Sequence, residues 1–120
     1  MDKLINFYKM LSDETRLRII VLLHHEELCV CEICGILSLS QPKVSKHLAK
    51  LRDMGFIKDT RKEQFISYRL NLEEKTLKDT VQVIINNLQS YGDFQKDIEK
   101  LKIKDTFLEQ CKIIKKLETS

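Results

Sequence analysis

The sequence predicts a mainly α-helical domain with one small β-hairpin (α+β), and three observations carry that expectation. Apolar residues recur at helical spacing, most clearly Leu17, Ile20, Val21 and Leu23. Three glycines and one proline in 120 residues leave few breaks. Strand character is confined to Phe56, Ile57, Phe65, Ile66 and Tyr68, which flank a polar turn at 61–64.

At this length the chain is expected to be one domain, 1–120, burying roughly 60–70% of its unfolded surface. Apolar residues at 42% and charged residues at 32% exclude a disordered chain. The longest apolar run, from Ile19 to Leu23, is far short of the ~20 residues of a membrane span. The N-terminus has no long apolar signal core. A cytoplasmic protein without a membrane partner is therefore expected. Thiols stay reduced there, so clustered cysteines point to metal binding or catalysis more than to disulfides.

The first helix carries Leu4, Ile5, Phe7, Tyr8 and Leu11 and stops near Ser12. Ser12 or Asp13 caps the second, which runs to about His25. A third, short helix covers about 30–37, with Ile33, Ile36 and Leu37 on its apolar side. A turn at 38–40 follows, then Ser40 as N-cap and Pro42 in the first turn, where its missing N–H costs nothing. Val44, Leu48 and Leu51 continue this helix until Gly55 ends it. Two short helices joined by a tight turn make a helix-turn-helix, and a hairpin after it is a wing. Beyond Leu72 come a long helix with Leu77, Val81, Ile84, Ile85 and Leu88, a break near 90–92, and a last helix from Phe94 to Leu117. These extension helices, about 72–117, carry more apolar stripe than so small a domain covers alone, which argues for a homodimer.

Between 38 and 69, eight bases face three acids, whereas 71–120 holds nine of each. A basic middle beside a neutral tail suggests that the middle meets a polyanion. In a helix-turn-helix the second helix lays its N-terminal residues against base edges while Lys and Arg hold phosphates. The candidates are Ser40, Gln41, Lys43, Ser45, Lys46, His47 and Lys50 on the helix, with Arg61 and Lys62 at the hairpin tip. Gln suits adenine, Lys suits guanine, and Ser serves either. The bland alternative is a solvated charged face, and a packed role competes for His47.

The stretch ELCVCEIC places Cys29, Cys31 and Cys34 within six positions. On a regular helix Cys31 and Cys34 lie about 60° apart, but Cys29 is about 200° from Cys31 and about 140° from Cys34. Cys29 must therefore reach a shared ion from a non-helical or unwound first turn, so that capture and a regular helix start conflict. A helix N-terminus is expected to lower the thiol pKa values and favour thiolate. Cys111, alone in an apolar stripe, reads as a small buried hydrophobe. No catalytic constellation appears, so an enzyme is not expected.

The runs LSDETRLRIIVLL, ELCVCEIC, SQPKVSKHLAKLRDMGFI and TRKEQFISYRL, over roughly residues 5–90, resemble the ArsR family of metalloregulatory winged-helix repressors. The Cys-Val-Cys box with Cys34 resembles its arsenite- and antimonite-responsive members. The resemblance implies a dimeric repressor of a resistance operon that leaves double-stranded operator DNA when As(III) or Sb(III) binds Cys29, Cys31 and Cys34, with no organic cofactor. Trivalent arsenic and antimony take three sulfurs, whereas zinc usually takes four ligands. The family's cadmium and lead sensors have further cysteines near the N-terminus, and residues 1–28 hold none. Its other site for zinc, nickel or cobalt uses histidine and acidic residues on the long helix after the wing, and no histidine follows His47. Three alternatives remain open: a repressor sensing cadmium, lead or zinc (zinc with His24, His25 or Cys111), one sensing thiol oxidation, and a small thiol metal buffer or redox protein. The wing turn RKEQF lacks the glycine of many relatives, and the last ~30 residues lie beyond the resemblance.

Overall fold

A computed structural model describes residues 1–119, apart from the side chains of Lys115, Glu118 and Thr119; Ser120, the end of the expected domain, lies outside them. The element order is α1 (Asp2–Leu11), α2 (Glu14–His25), β1 (Leu28–Cys29), α3 (Val30–Leu37), α4 (Gln41–Asp53), β2 (Ile57–Lys62), β3 (Phe65–Leu70) and α5 (Lys75–Asn86). After a 3₁₀ turn at Leu88–Ser90 come α6 (Gly92–Leu101) and α7 (Lys104–Thr119). The order helix, turn, helix, hairpin is the winged helix-turn-helix expected from the sequence.

Helix α2 is the centre of the core. Asp13 caps it by accepting the Arg16 N–H at 3.0 Å, and Ile19 to Leu23 are buried one after another. Five consecutive buried positions mean that α2 is covered on every side, here by α1, α4, α5, α6 and β3. Arg16 closes the end of α1 by donating from Nε to the Met10 carbonyl at 3.0 Å. Phe7 packs edge-on against Phe56, which ties α1 to the start of the wing.

The sheet has three strands in the order β1-β3-β2, one more than the sequence suggests. In β1, Leu28 pairs with Tyr68 and Cys29 with Ser67. A two-residue strand has no periodicity to read, so it escaped the sequence. The wing itself forms about a tight turn between Lys62 and Phe65, and Glu63 takes the left-handed conformation (φ 56°) that a glycine would have made easier. Left-handed backbone also ends α3 at Ser38 and follows α4 at Gly55 (φ 83°).

The single last helix expected from the sequence is two helices, and the chain turns between them. The Lys102 and Ile103 N–H groups bond the Glu99 and Lys100 carbonyls, tightening and closing α6. No glycine or proline marks the bend, and Leu101 to Leu108 is a heptad step that keeps the apolar period running through it. The bend sends α7 back onto α3. Gly35 makes that approach possible, because a Cβ there would overlap the Phe107 ring.

Distant polar contacts fix α6 and α7. Arg18 forks onto buried Asp97 with bonds of 2.8 and 2.7 Å, Lys100 Nζ donates to the Ile36 carbonyl at 3.2 Å, and Lys104 pairs with Glu26 at 2.8 Å. Phe94, Leu101 and much of Phe107 are thus covered within the chain. Ile103 between them and Ile113, Ile114 and Leu117 on α7 stay exposed, so part of the apolar stripe that suggested a second chain remains uncovered. Ile5 and Tyr8 on α1 and Val83 on α5 are exposed as well. Among the described residues, no helix is long and apolar enough to cross a membrane.

Candidate nucleic-acid interface and thiol cluster

Helix α4 separates its duties by face. Val44, Leu48 and Leu51 are buried in the core, while Gln41, Lys43, Lys46 and Lys50 are exposed. Pro42 stands in the first turn. Ser40 occupies the N-cap position in extended backbone, but its hydroxyl makes no capping bond and stays exposed. Ser45 is half-buried at the edge of the exposed face.

His47 is placed differently from its neighbours. Its side chain is 14% exposed and its Nδ1, without a hydrogen-bond partner, lies 3.9 Å from the Asp13 carboxylate. Burial pushes its pKa below the ordinary imidazole value, and Asp13 offsets this only in part. The geometry makes His47 a packing contact between α4 and the start of α2 rather than an outward donor.

On the wing, Arg61 and Lys62 are exposed, and Lys62 Nζ sits 3.2 Å from Glu27. Arg52, which sequence reasoning did not single out, joins α4 to β2 through Asp59 at 3.4 Å. The exposed bases of α4 and the wing can hold phosphates, and the first turn of α4 can reach base edges.

The cysteines are not gathered as their spacing suggests. Cys29 lies before α3, in extended backbone (φ −88°, ψ 166°), with its N–H donated to the buried Glu32 carboxylate at 3.0 Å. Cys29 thus lies outside the helix, as a start at about residue 30 implies, and what holds it there is its pairing with β3. Burial, reinforced by the Glu32 charge, pushes the Cys29 thiol up to about 11, although the Glu32 N–H pulls the other way. Burial also raises Cys34. The expectation that the helix N-terminus lowers these thiols is thus corrected: desolvation outweighs the helix-end field.

Cys31 is disulfide-bonded to Cys111 of α7, with Cα atoms 6.2 Å apart. Cys111 is therefore no mere small hydrophobe, and the expectation of wholly reduced thiols is corrected as well. The bond exists because α7 folds back, which spacing did not reveal. Among the described residues, no three side chains of metal-ligating type already converge on one point. The donor chemistry of Cys29, Cys31 and Cys34 suits a soft ion, but holding one requires the segment to move.

A buried helix followed by an exposed basic helix and a basic hairpin defines a DNA-binding winged helix-turn-helix regulator. Residues 13–59 match the family described as bacterial regulatory protein, arsR family. Arsenic resistance transcriptional regulator ArsR1 of Pseudomonas putida is 52% identical over 67 residues, covering 55% of this chain and 52% of that protein. Transcriptional repressor SdpR of Bacillus subtilis is 36% identical over 81 residues, covering 68% of this chain and 88% of SdpR. The structure of reduced HlyU from Vibrio cholerae matches with a TM-score of 0.64 at 30% identity, covering 75% of this chain and 90% of that one. The chain belongs to the arsR family of bacterial regulatory proteins, a family of transcription regulators and not of enzymes. It spans about half the length of the arsenic-resistance regulators it matches.

Proposed function

We propose that this chain is a transcriptional repressor that holds double-stranded operator DNA as a homodimer. It releases the DNA when As(III) or Sb(III) binds the thiolates of the Cys29, Cys31 and Cys34 cluster. The observation that carries the reading is the connection between thiols and reader: α3 passes into α4 through three residues. The similarity to arsenic-resistance regulators supports the choice of ion.

A bound trivalent metalloid draws three sulfurs into a pyramid. For Cys29 to take part, its pairing with Ser67 and the Glu32 bond to its N–H must be given up, which releases the first turn of α3. A shift at that end tilts α4, since Ile33, Ile36 and Leu37 pack in one core with Val44 and Leu48. Two α4 helices of a dimer must sit about 34–36 Å apart to enter successive major grooves, so a small tilt in each spoils the fit. Exposed Ile5, Tyr8 and Val83 supply an apolar surface for pairing two chains. The bases on α4 and the wing, including Lys43, Lys46, Lys50, Arg61 and Lys62, would hold phosphates, with Gln41 nearest the base edges.

An ion that favours the DNA-free form by ~1–3 kcal/mol weakens operator binding about 5- to 150-fold, and operator DNA must weaken ion binding equally. Fluorescence anisotropy of a labelled operator fragment, with arsenite added to reduced protein, tests this. Cys34→Ser should bind DNA as the wild type does but not respond. Release of DNA from that variant by arsenite would place the sensor elsewhere.

The Cys31–Cys111 bond favours one second reading, in which thiol oxidation is the input. Peroxide would then release the operator from protein that arsenite leaves bound.

A further inference from the structure

The fold collects a different trio of sulfurs from the one adjacent in sequence. Cys31 and Cys34 line a cavity of about 400 Å³ between α3, the wing and α7, and the third sulfur on its wall is Cys111. Cys29 faces another cavity, beside Glu32, Ser67 and Lys104. Cys31 and Cys111 are already in bonding contact, and Cys34 follows Cys31 by three residues, on the same side of α3. The seat of α7 on α3 is specific: it needs the missing side chain of Gly35, and the Lys100 and Lys104 contacts hold the bend that directs it.

We propose that the thiophilic ion of this chain is held between α3 and α7 by Cys31, Cys34 and Cys111. The inference rests on the metalloid reading above and replaces its third ligand, Cys29, by Cys111. The disulfide must first open. A dithiol reductant supplies two electrons and two protons, becomes a disulfide itself, and leaves Cys31 and Cys111 as thiols. The three thiols then displace the three hydroxides of arsenous acid. Three As–S bonds replace three As–O bonds, the thiol protons leave with the hydroxides as water, and arsenic stays trivalent. Cys29 could join only by leaving its strand pairing, whereas Cys111 already lines one cavity with Cys31 and Cys34, so that with the disulfide open the three thiols have only that cavity to close across. An ion in this place also fastens α7 beside the reading surface, because Ile114 lines the same cavity as Gln41 and Arg61. Occupancy is thereby felt at both the first turn of α4 and the wing.

Arsenite titration of the reduced full-length protein, followed by the near-ultraviolet arsenic–sulfur absorption, tests the assignment. Cys29→Ser should keep the wild-type absorption and an affinity within about threefold. Cys111→Ser should lose the three-sulfur absorption and bind at least ~10-fold more weakly, the least that disturbing a metal's surroundings usually costs. In wild-type protein, arsenite should also protect Cys111 from alkylation, a readout that requires no variant to fold. The inference is overturned, and the metalloid reading left standing, if Cys29→Ser loses the absorption while Cys111→Ser keeps it and Cys111 alkylates equally with and without arsenite. Absence of any arsenic–sulfur absorption in the wild-type protein overturns both.

Discussion

The α3–α4 unit and the α6–α7 unit are both pairs of helices joined by a tight bend, yet different forces set them. Three residues join α3 to α4, and the unit is bounded by local devices: Ser38 in left-handed backbone, Pro42 in the first turn of α4, Gly55 past its end. The α6–α7 bend has no such punctuation. It is held by Arg18 to Asp97, 79 residues apart, by Lys100 to Ile36, 64 apart, and by Cys31 to Cys111, 80 apart. A unit defined locally is set by its own few residues. One defined by distant contacts depends on the whole fold, and it is the one that brings a fourth cysteine to the thiol cluster.

Mutations can break the contrast from either side. The largest effect is expected in the reader: Leu48→Ala leaves a cavity beneath α4, should cost about 2–5 kcal/mol in urea unfolding, and should weaken DNA binding with it. On the other side, Asp97→Ala strands Arg18 and should cost about 3 kcal/mol, while replacing both by apolar residues recovers most of that. Because that fork joins α2 to α6 and includes no residue of α4 or the wing, operator affinity of folded Asp97→Ala protein should fall far less than for Leu48→Ala. Equal losses of affinity would show that the two units are not separable.

A smaller effect isolates α7. Gly35→Val drives Phe107 off α3 and should cost about 1–3 kcal/mol. Its clearer signature is mass-spectrometric: the Cys31–Cys111 disulfide should no longer form under mild oxidation. Smaller still is Lys62→Ala, whose exposed pair with Glu27 contributes about 0–1 kcal/mol. Its effect should be seen in DNA binding, where the dependence of log affinity on log salt loses about one unit of slope.

His47 gives a pH test of the contact between α4 and α2. Its folded pKa is lowered, mainly by burial, so the unfolded chain binds the proton more readily. Its contribution to stability is complete above the ordinary value of 6.5 and is lost as pH falls from there through the folded value. His47→Gln should flatten that acid-side loss in urea midpoints measured from pH 7.5 to 5. An unchanged slope would mean that the ring is solvated in the folded protein.

The sequence by itself determined the winged helix-turn-helix order and the inward face of α4 with its exposed bases, and it narrowed the cap of α2 to Ser12 or Asp13. It determined these because helical period, capping residues and turn conformers act over a few neighbours. It also placed three thiols at the start of α3, but not which way they face. Only the tertiary structure decided that Cys29 is tied into a third strand and that its thiol is raised rather than lowered. The same holds for His47 turning inward and for α7 returning to set Cys111 against Cys31. Each of these depends on burial or on contacts many residues apart, and a local pattern carries neither.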